Sequence, residues 1–246
     1  MIRPKDKHMS EQSPNLIDYR NPDTKPEPFA DRAYIAPMAT FLVIIFIAGK
    51  LPAAAYPWMY IARAFIVGAM LLFLWKYYTK IRWNHWWLGA IVGVIGIFQW
   101  VGMQLFLQKH FEFFHPSAEG VFNPFEYFTD PNSRWAWIAI RVLSASIVVP
   151  IMEELFWRDY LWRQVIAPND FRLAQVGEFD WKPYLGIAVV FSLVHGNWWL
   201  TAIVWALMIH TLLVYTKSIG ACIIAHGVTN FLLAVYVLKT QDWSFW

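Results

Sequence analysis

The sequence predicts an all-α polytopic membrane protein, a bundle of about seven to eight transmembrane helices. Of the 246 residues, 58% are hydrophobic and only 15% are charged, whereas soluble domains are usually about 25% charged. Several apolar stretches reach the length of about 20 residues that a helix needs to cross a bilayer. Many of the 16 tryptophans, such as Trp83, Trp86, Trp87, Trp198 and Trp199, cluster near the ends of these stretches, as aromatic residues do at membrane–water interfaces.

Composition also excludes several classes of protein. The net charge of +3 is small and dispersed, so it does not indicate a nucleic-acid-binding protein. A single cysteine, Cys222, excludes an internal disulfide framework and a cysteine-rich metal site. The lipid bilayer is therefore the expected environment, and the sequence says nothing about oligomeric state.

The chain divides into a polar tail and a membrane domain. Residues 1–34 are rich in charge and proline and lack the apolar core of a signal peptide, so we expect a disordered cytoplasmic tail. Residues 35–246 form the predicted transmembrane domain. Its clearest spans are residues 35–52, 57–76, 86–107, 135–157 and 219–238.

One apolar stretch is too long for a single span. Residues 183–216 contain no Lys, Arg, Asp or Glu, and we expect a break near Gly196–Asn197 that divides them into two spans. The first of these would have about 14 residues, or about 21 Å of helix, and would fall short of the far surface. Residues 159–179 are a candidate for an eighth, interfacial element.

The distribution of positive charge predicts the orientation. Seven spans with a cytoplasmic N-terminus place fourteen Lys and Arg residues on the cytoplasmic side and four on the other side. Cytoplasmic loops of membrane proteins carry such an excess. The largest loop on the other side, residues 108–134, is acidic, and its role is left open.

Two adjacent carboxylates lie at the end of the predicted fourth span. Ionisable residues inside a membrane are costly and usually functional. Glu154 and Arg158 are four residues apart, in the order that favours an ion pair on one helix. Glu153 points about 100° away from Glu154, which leaves it free for general-base chemistry. The alternative is a cluster of charges at the lipid headgroups.

Three further polar residues occur in later spans. His195 lies late in the short fifth span, and His226 and Asn230 project from one face of the last span. An imidazole and a carboxamide side by side can donate two hydrogen bonds to an oxyanion. Each is also a common helix–helix hydrogen-bonding residue. The predicted topology places Glu153, His195 and His226 at one depth, in the cytoplasmic half of the membrane.

Other polar residues favour structural interpretations. His210, Arg141 and Arg63 are expected to pair or to extend toward the interface. Cys222 lies one turn before His226, but free cysteine is usually a small buried hydrophobe rather than a nucleophile.

The polar motifs, taken in order, resemble a known family. "EELFWR" fits E-E-x-x-x-R, "FSLVH" fits F-x-x-x-H and "HGVTN" fits H-x-x-x-N. The ordered set, over residues 135–240, resembles the CPBP family of type II CAAX prenyl endopeptidases and bacteriocin-processing or immunity proteins. The amino-terminal half is similar to bacterial CAAX protease-related proteins that accompany exosortase systems.

The resemblance implies an intramembrane endopeptidase in a plasma membrane, the inner membrane of a bacterial cell. It implies that Glu153 activates a water held by His195, and that His226 and Asn230 stabilise the oxyanion. Glu154 and Arg158 would be the supporting pair. The implied substrate is a polypeptide in or at the membrane, and a requirement for a prenyl group is left open.

Two questions remain open at the level of sequence. The mechanism we favour uses no metal, because the chain has no H-E-x-x-H motif. Glu153, His195 and His226 would nevertheless be the ligands of a zinc site with one open position. The rival functions are a non-catalytic chaperone or immunity-type scaffold and a small proton-coupled transporter.

Overall fold

A computed structural model describes residues 29–115 and 121–246, and these residues form helices and turns without a β-strand. The helices are α1 (Ala30–Ala48), α2 (Tyr56–Phe73), α3 (Trp86–His110), the short α4 (Pro124–Tyr127), α5 (Pro131–Ile166), α6 (Trp181–Leu193), α7 (Trp199–Thr216) and α8 (Ile219–Thr240). Six of them are long and apolar enough to cross a membrane. The predicted all-α membrane fold is confirmed.

The helix bounds differ from the predicted spans mainly at the first and fourth. Helix α1 begins at Ala30, within the segment assigned to the polar tail. The tail itself lies, up to residue 28, outside the described residues. Helix α5 continues to Ile166 and is about 54 Å long, so the predicted end at residue 157 was too early. Residues 159–166 of the suggested eighth element are the continuation of this helix.

The predicted break in the long apolar stretch is present. Helix α6 has 13 residues and ends at Leu193, and α7 begins at Trp199. Gly196 between them has a φ of +54°, which a residue without a Cβ adopts at little cost. The short α6 is about 20 Å long, so it spans only part of a bilayer and ends within the depth of the longer helices.

Glycines let α3 pack closely along α8. A Cβ at Gly89 would lie 2.3 Å from the carbonyl oxygen of Ala221, and one at Gly93 would lie 2.6 Å from that of Ala225. The Thr229 hydroxyl donates to the Gly93 carbonyl at 2.8 Å. Small residues and hydrogen bonds of this kind hold membrane helices together, and here they fix the helix that carries His226 and Asn230.

Candidate active site

The two adjacent carboxylates lie in the later part of α5, twelve residues or more before its last residue, Ile166. Two π-helical segments, Ser144–Val148 and Leu155–Leu161, enclose the α-helical turn Val149–Glu154. Such π-segments occur frequently at functional sites. Glu154 is fully buried, whereas Glu153 is partly exposed to a cavity. Glu154 is therefore enclosed by protein side chains rather than exposed at the surface of the bundle.

Glu154 accepts hydrogen bonds from two side chains at once. Its Oε1 accepts from Arg158 Nη1 at 3.3 Å and from His226 Nδ1 at 2.8 Å. Neither Glu154 nor Arg158 exposes any of its side chain. The predicted Glu154–Arg158 contact is present, and the contact with His226 adds a second role. Glu154 links α5 to α8 and sets the orientation of the His226 ring.

His195 lies two residues after the end of α6 at Leu193 and is held by the last turn of that helix. Its Nδ1 donates to the Phe191 carbonyl at 2.8 Å. The Phe191 ring packs on the imidazole, with ring centroids 4.4 Å apart, and the guanidinium carbon of Arg158 lies 4.7 Å from the Phe191 centroid. Phe191 therefore connects His195 to the buried ion pair.

These contacts determine the tautomer of both histidines. A carbonyl and a carboxylate can only accept a hydrogen bond, so Nδ1 carries the proton in His195 and in His226. A neutral ring then presents an Nε2 lone pair to the cavity that both residues line. His226 would donate from Nε2 only in its doubly protonated form. The predicted oxyanion role of His226 therefore requires an imidazolium.

Asn230 is fixed by a defect in α5. The Val149 N–H donates to the Ser144 carbonyl in π register, and Pro150 has no N–H. The Ala145 carbonyl therefore lacks both of its possible partners within the helix. Asn230 Nδ2 donates to that carbonyl at 2.8 Å. One amide N–H of Asn230 is thus used for positioning, which leaves the second N–H available.

Gly227 permits this contact between α5 and α8. A Cβ at Gly227 would lie 2.6 Å from the Ser146 carbonyl oxygen, a distance that packed carbon atoms do not reach. The α8 backbone therefore lies directly against the first π-helical segment. This close approach places His226 and Asn230, one turn apart, on either side of the contact.

We predict that Pro150→Ala will loosen Asn230. Alanine supplies the missing N–H, so Asn230 must compete for the Ala145 carbonyl or the segment reverts to regular α-helix. The predicted oxyanion role of Asn230 then implies that kcat falls about ten-fold, because a partly displaced donor loses part of its effect, while KM changes little. Ile147→Ala, a change at an exposed position of the same segment that adds no N–H, is the matched control. An unchanged kcat in Pro150→Ala would contradict the role assigned to the π-helical segment in positioning Asn230.

The four predicted catalytic side chains meet around one cavity. Its volume is about 140 Å³, and Glu153, His195, His226 and Asn230 all contribute to its lining. Aromatic and aliphatic side chains complete the wall, namely Trp100, Val149, Phe191, Trp205, Thr229 and Leu233. Helices α5 and α8 and the turn after α6 thus bring together the residues that the sequence motifs single out.

The amino-acid sequence also matches a described family in the same region. Residues 135–232 match the Rce1-like family of type II CAAX prenyl endopeptidases. This part of the chain is similar to the Rce1-like family. The match supports the resemblance to CPBP intramembrane proteases, and the six apolar helices support an integral membrane protein. No curated protein and no solved structure gives a significant match to the chain.

The zinc alternative does not fit the arrangement of the Rce1-like region. In the described residues no three His, Cys, Asp or Glu side chains converge closely enough to hold a metal ion. Glu153, His195 and His226 line the same cavity but do not form such a group. We therefore derive no catalytic step through a metal.

Sequence reasoning missed a second buried ion pair beside the Rce1-like site. Asp159 Oδ1 accepts from Arg163 Nη1 at 2.6 Å, and Asp159 Oδ2 accepts from the Tyr34 hydroxyl at 2.8 Å. Arg163 also donates to Thr79 Oγ1 at 2.9 Å. This pair joins α1, α5 and the loop after α2. The sequence did contain a signal for this pair. Asp159 and Arg163 are four residues apart, the same spacing as Glu154 and Arg158.

The aromatic wall of the cavity was also missed. The Trp205 ring lies 6.0 Å from the His226 ring and the Trp100 ring 5.8 Å from the His195 ring, measured between centroids. A Cβ at Gly96 would lie 2.3 Å from the Trp205 ring, so this glycine makes room for the indole. The sequence interpretation assigned the tryptophans as interface anchors. Nothing in the sequence distinguished Trp100 and Trp205 from the other tryptophans.

Proposed function

We propose that this protein is an intramembrane endopeptidase that hydrolyses a peptide bond of a membrane-associated polypeptide with a water activated by Glu153. The observation that supports this most is the single cavity lined by Glu153, His195, His226 and Asn230. A carboxylate, two imidazoles and a carboxamide are the groups that a base, a water-holding residue and an oxyanion site require.

Glu153 is the better of the two carboxylates for the role of base. Within the part of the chain that the structure describes, it has no hydrogen bond and no ion pair to a protein group, and it faces the cavity. Glu154 is already bound to Arg158 and His226. A general base must be free to accept a proton from water, which Glu153 is and Glu154 is not.

The proposed reaction follows from these positions. His195 Nε2 accepts a hydrogen bond from the water, Glu153 takes a proton from it, and the water oxygen bonds to the scissile carbonyl carbon. The oxyanion is stabilised by the second N–H of Asn230 and by Nε2–H of protonated His226. When the C–N bond breaks, the proton held by Glu153 passes to the leaving amine, so a carboxylic acid and an amine are produced.

The topology supports access from the cytoplasm. Glu153 lies in the later part of α5, and the predicted orientation, with a cytoplasmic N-terminus, directs that part toward the positively charged side. We place the protein in a plasma membrane, such as the inner membrane of a bacterium. The substrate would then present its cleavage site at the cytoplasmic half of the bilayer.

The test is the appearance of new peptide termini. Purified protein in lipid vesicles is incubated with membrane-associated peptides, each made with and without a prenyl group, and products are identified by mass spectrometry. Cleavage that is lost in His195→Ala and kept in His110→Ala, a histidine outside the cavity, supports the proposal. Proton flux across the vesicles without cleavage would favour a transporter. Binding of a peptide without either activity would favour a scaffold.

A further inference from the structure

Two arginines lie on membrane-spanning helices and have no acidic partner among the described residues. Arg63 is ten residues from each end of the helical segment Ala53–Phe73, or about 15 Å from either end. Arg141, on the longer helix α5, lies over the same Tyr60 ring as Arg63 and therefore at the same depth. A cation at this depth is costly and normally pairs with a carboxylate or faces a substrate pathway.

The two side chains share one aromatic neighbour. The guanidinium carbon of Arg63 lies 4.6 Å from the centroid of the Tyr60 ring, and that of Arg141 lies 4.7 Å from the same centroid. Phe41 lies beside Arg63, and Trp246 beside Arg141. Cation–π contacts partly compensate lost hydration, but they do not neutralise two like charges that are close together.

The missing counter-charge is not supplied by the described chain. None of the ion pairs between described residues includes Arg63 or Arg141. Arg141 is 9% exposed and donates from Nη1 to the Tyr56 hydroxyl at 3.0 Å, while its buried Nε has no acceptor among the described residues. Arg63 is partly exposed, at a contact between α1 and α2. The pair can therefore accept an anion from the lipid side.

We propose that Arg63 and Arg141 form a docking site for a carboxylate in the transmembrane segment of a partner polypeptide. A lipid phosphate fits less well, because the headgroups lie about 15 Å from the bilayer centre, beyond the reach of a side chain held against Tyr60. An Asp or Glu in the middle of a membrane helix lies at the depth of the two arginines. Such a residue is stabilised in its charged form beside two cations.

This site is separate from the catalytic cavity. Neither arginine lines that cavity, and Arg141 precedes Glu153 by twelve residues on α5, which corresponds to about 18 Å along the helix axis. The inference concerns binding and holds whether or not the bound polypeptide is cleaved. Its failure and a failure of the protease proposal can therefore be told apart.

The experiment uses a synthetic transmembrane helix as the probe. A labelled Leu/Ala peptide of about 20 residues carries one central Asp, and a matched peptide carries Asn at the same position. Energy transfer to the labelled protein is measured in phosphatidylcholine vesicles. We expect the Asp peptide to bind roughly ten-fold more tightly than the Asn peptide, as a charge-assisted hydrogen bond in a poorly hydrated site allows.

Substitutions of the two arginines test whether they cause the preference for the Asp peptide. Arg63→Met and Arg141→Met should each reduce the Asp preference to near one, whereas Arg63→Lys should retain part of it. Lys50→Met removes one exposed charge near the end of α1 and should leave the preference intact. If the Met variants fail to fold, the Asp preference of the wild type and its change in Arg63→Lys still test the proposal. Equal binding of both peptides to the wild type would overturn the proposal. So would loss of the Asp preference when phosphatidylglycerol is added, because the arginines would then bind a lipid phosphate.

Discussion

Replacing Glu154 with Gln is expected to cost the protein both stability and activity, with a loss of about 3–5 kcal/mol in the free energy of unfolding. The reason is the fully buried Arg158 guanidinium, which has Glu154 as its one ion-pair partner among the described residues. Glutamine can still accept from His226 Nδ1, but it cannot neutralise Arg158. Unfolding in detergent, followed by loss of helical signal with denaturant, measures the effect.

The double variant Glu154→Gln/Arg158→Met separates the two contributions. Removing both charges leaves no buried unpaired ion, so stability should return close to that of the wild type. Activity should stay low, because His226 then faces a neutral amide in place of the carboxylate 2.8 Å away. If Glu154→Gln alone were as stable as the wild type, the role of Glu154 as the support of the site would be wrong.

Replacing Glu153 with Gln should reduce activity without reducing stability. We expect kcat to fall by about 10²–10⁴, the usual contribution of a general base, because the amide cannot accept a proton from water. Stability should change by less than about 0.5 kcal/mol, since Glu153 makes no hydrogen bond or ion pair within the described chain. Rates on a cleavable peptide and unfolding curves of the same preparation measure both quantities.

Glu112→Gln provides the matched control for Glu153→Gln. Glu112 is exposed on the loop after α3, away from the cavity, so the same chemical change there should leave kcat and stability unaffected. An equal loss of activity in both variants would point to an effect of net charge rather than of a base.

Much of the fold was predictable because membrane spans are read from length and apolarity. The break at Gly196–Asn197 was predicted for that reason, since no single helix of that length fits a bilayer. The end of α5 was not predicted, because Arg158, Asp159 and Arg163, taken as single residues, are typical of a helix leaving the membrane. Their pairing inside the bundle depends on contacts with α1 and α8 that a local pattern does not contain.

The site was predictable as a set of residues and not as an arrangement. The spacing of Glu154 and Arg158 predicts their contact, since residues four apart share a helix face. The hydrogen bond from His226 to Glu154 joins residues 72 apart and required the tertiary structure. The dependence of Asn230 on Pro150 also lay beyond sequence, because an irregular π-segment cannot be told from a regular helix by apolar periodicity.

The central claim is that Glu153, rather than Glu154, is the base, and a single-turnover rate tests it most directly. Enzyme in excess over a cleavable membrane peptide reports the chemical step without the influence of product release. The proposal predicts that folded, membrane-inserted Glu153→Gln cleaves at least about 100-fold more slowly than the wild type, with an unchanged unfolding midpoint. Cleavage by Glu153→Gln at the wild-type rate would contradict it.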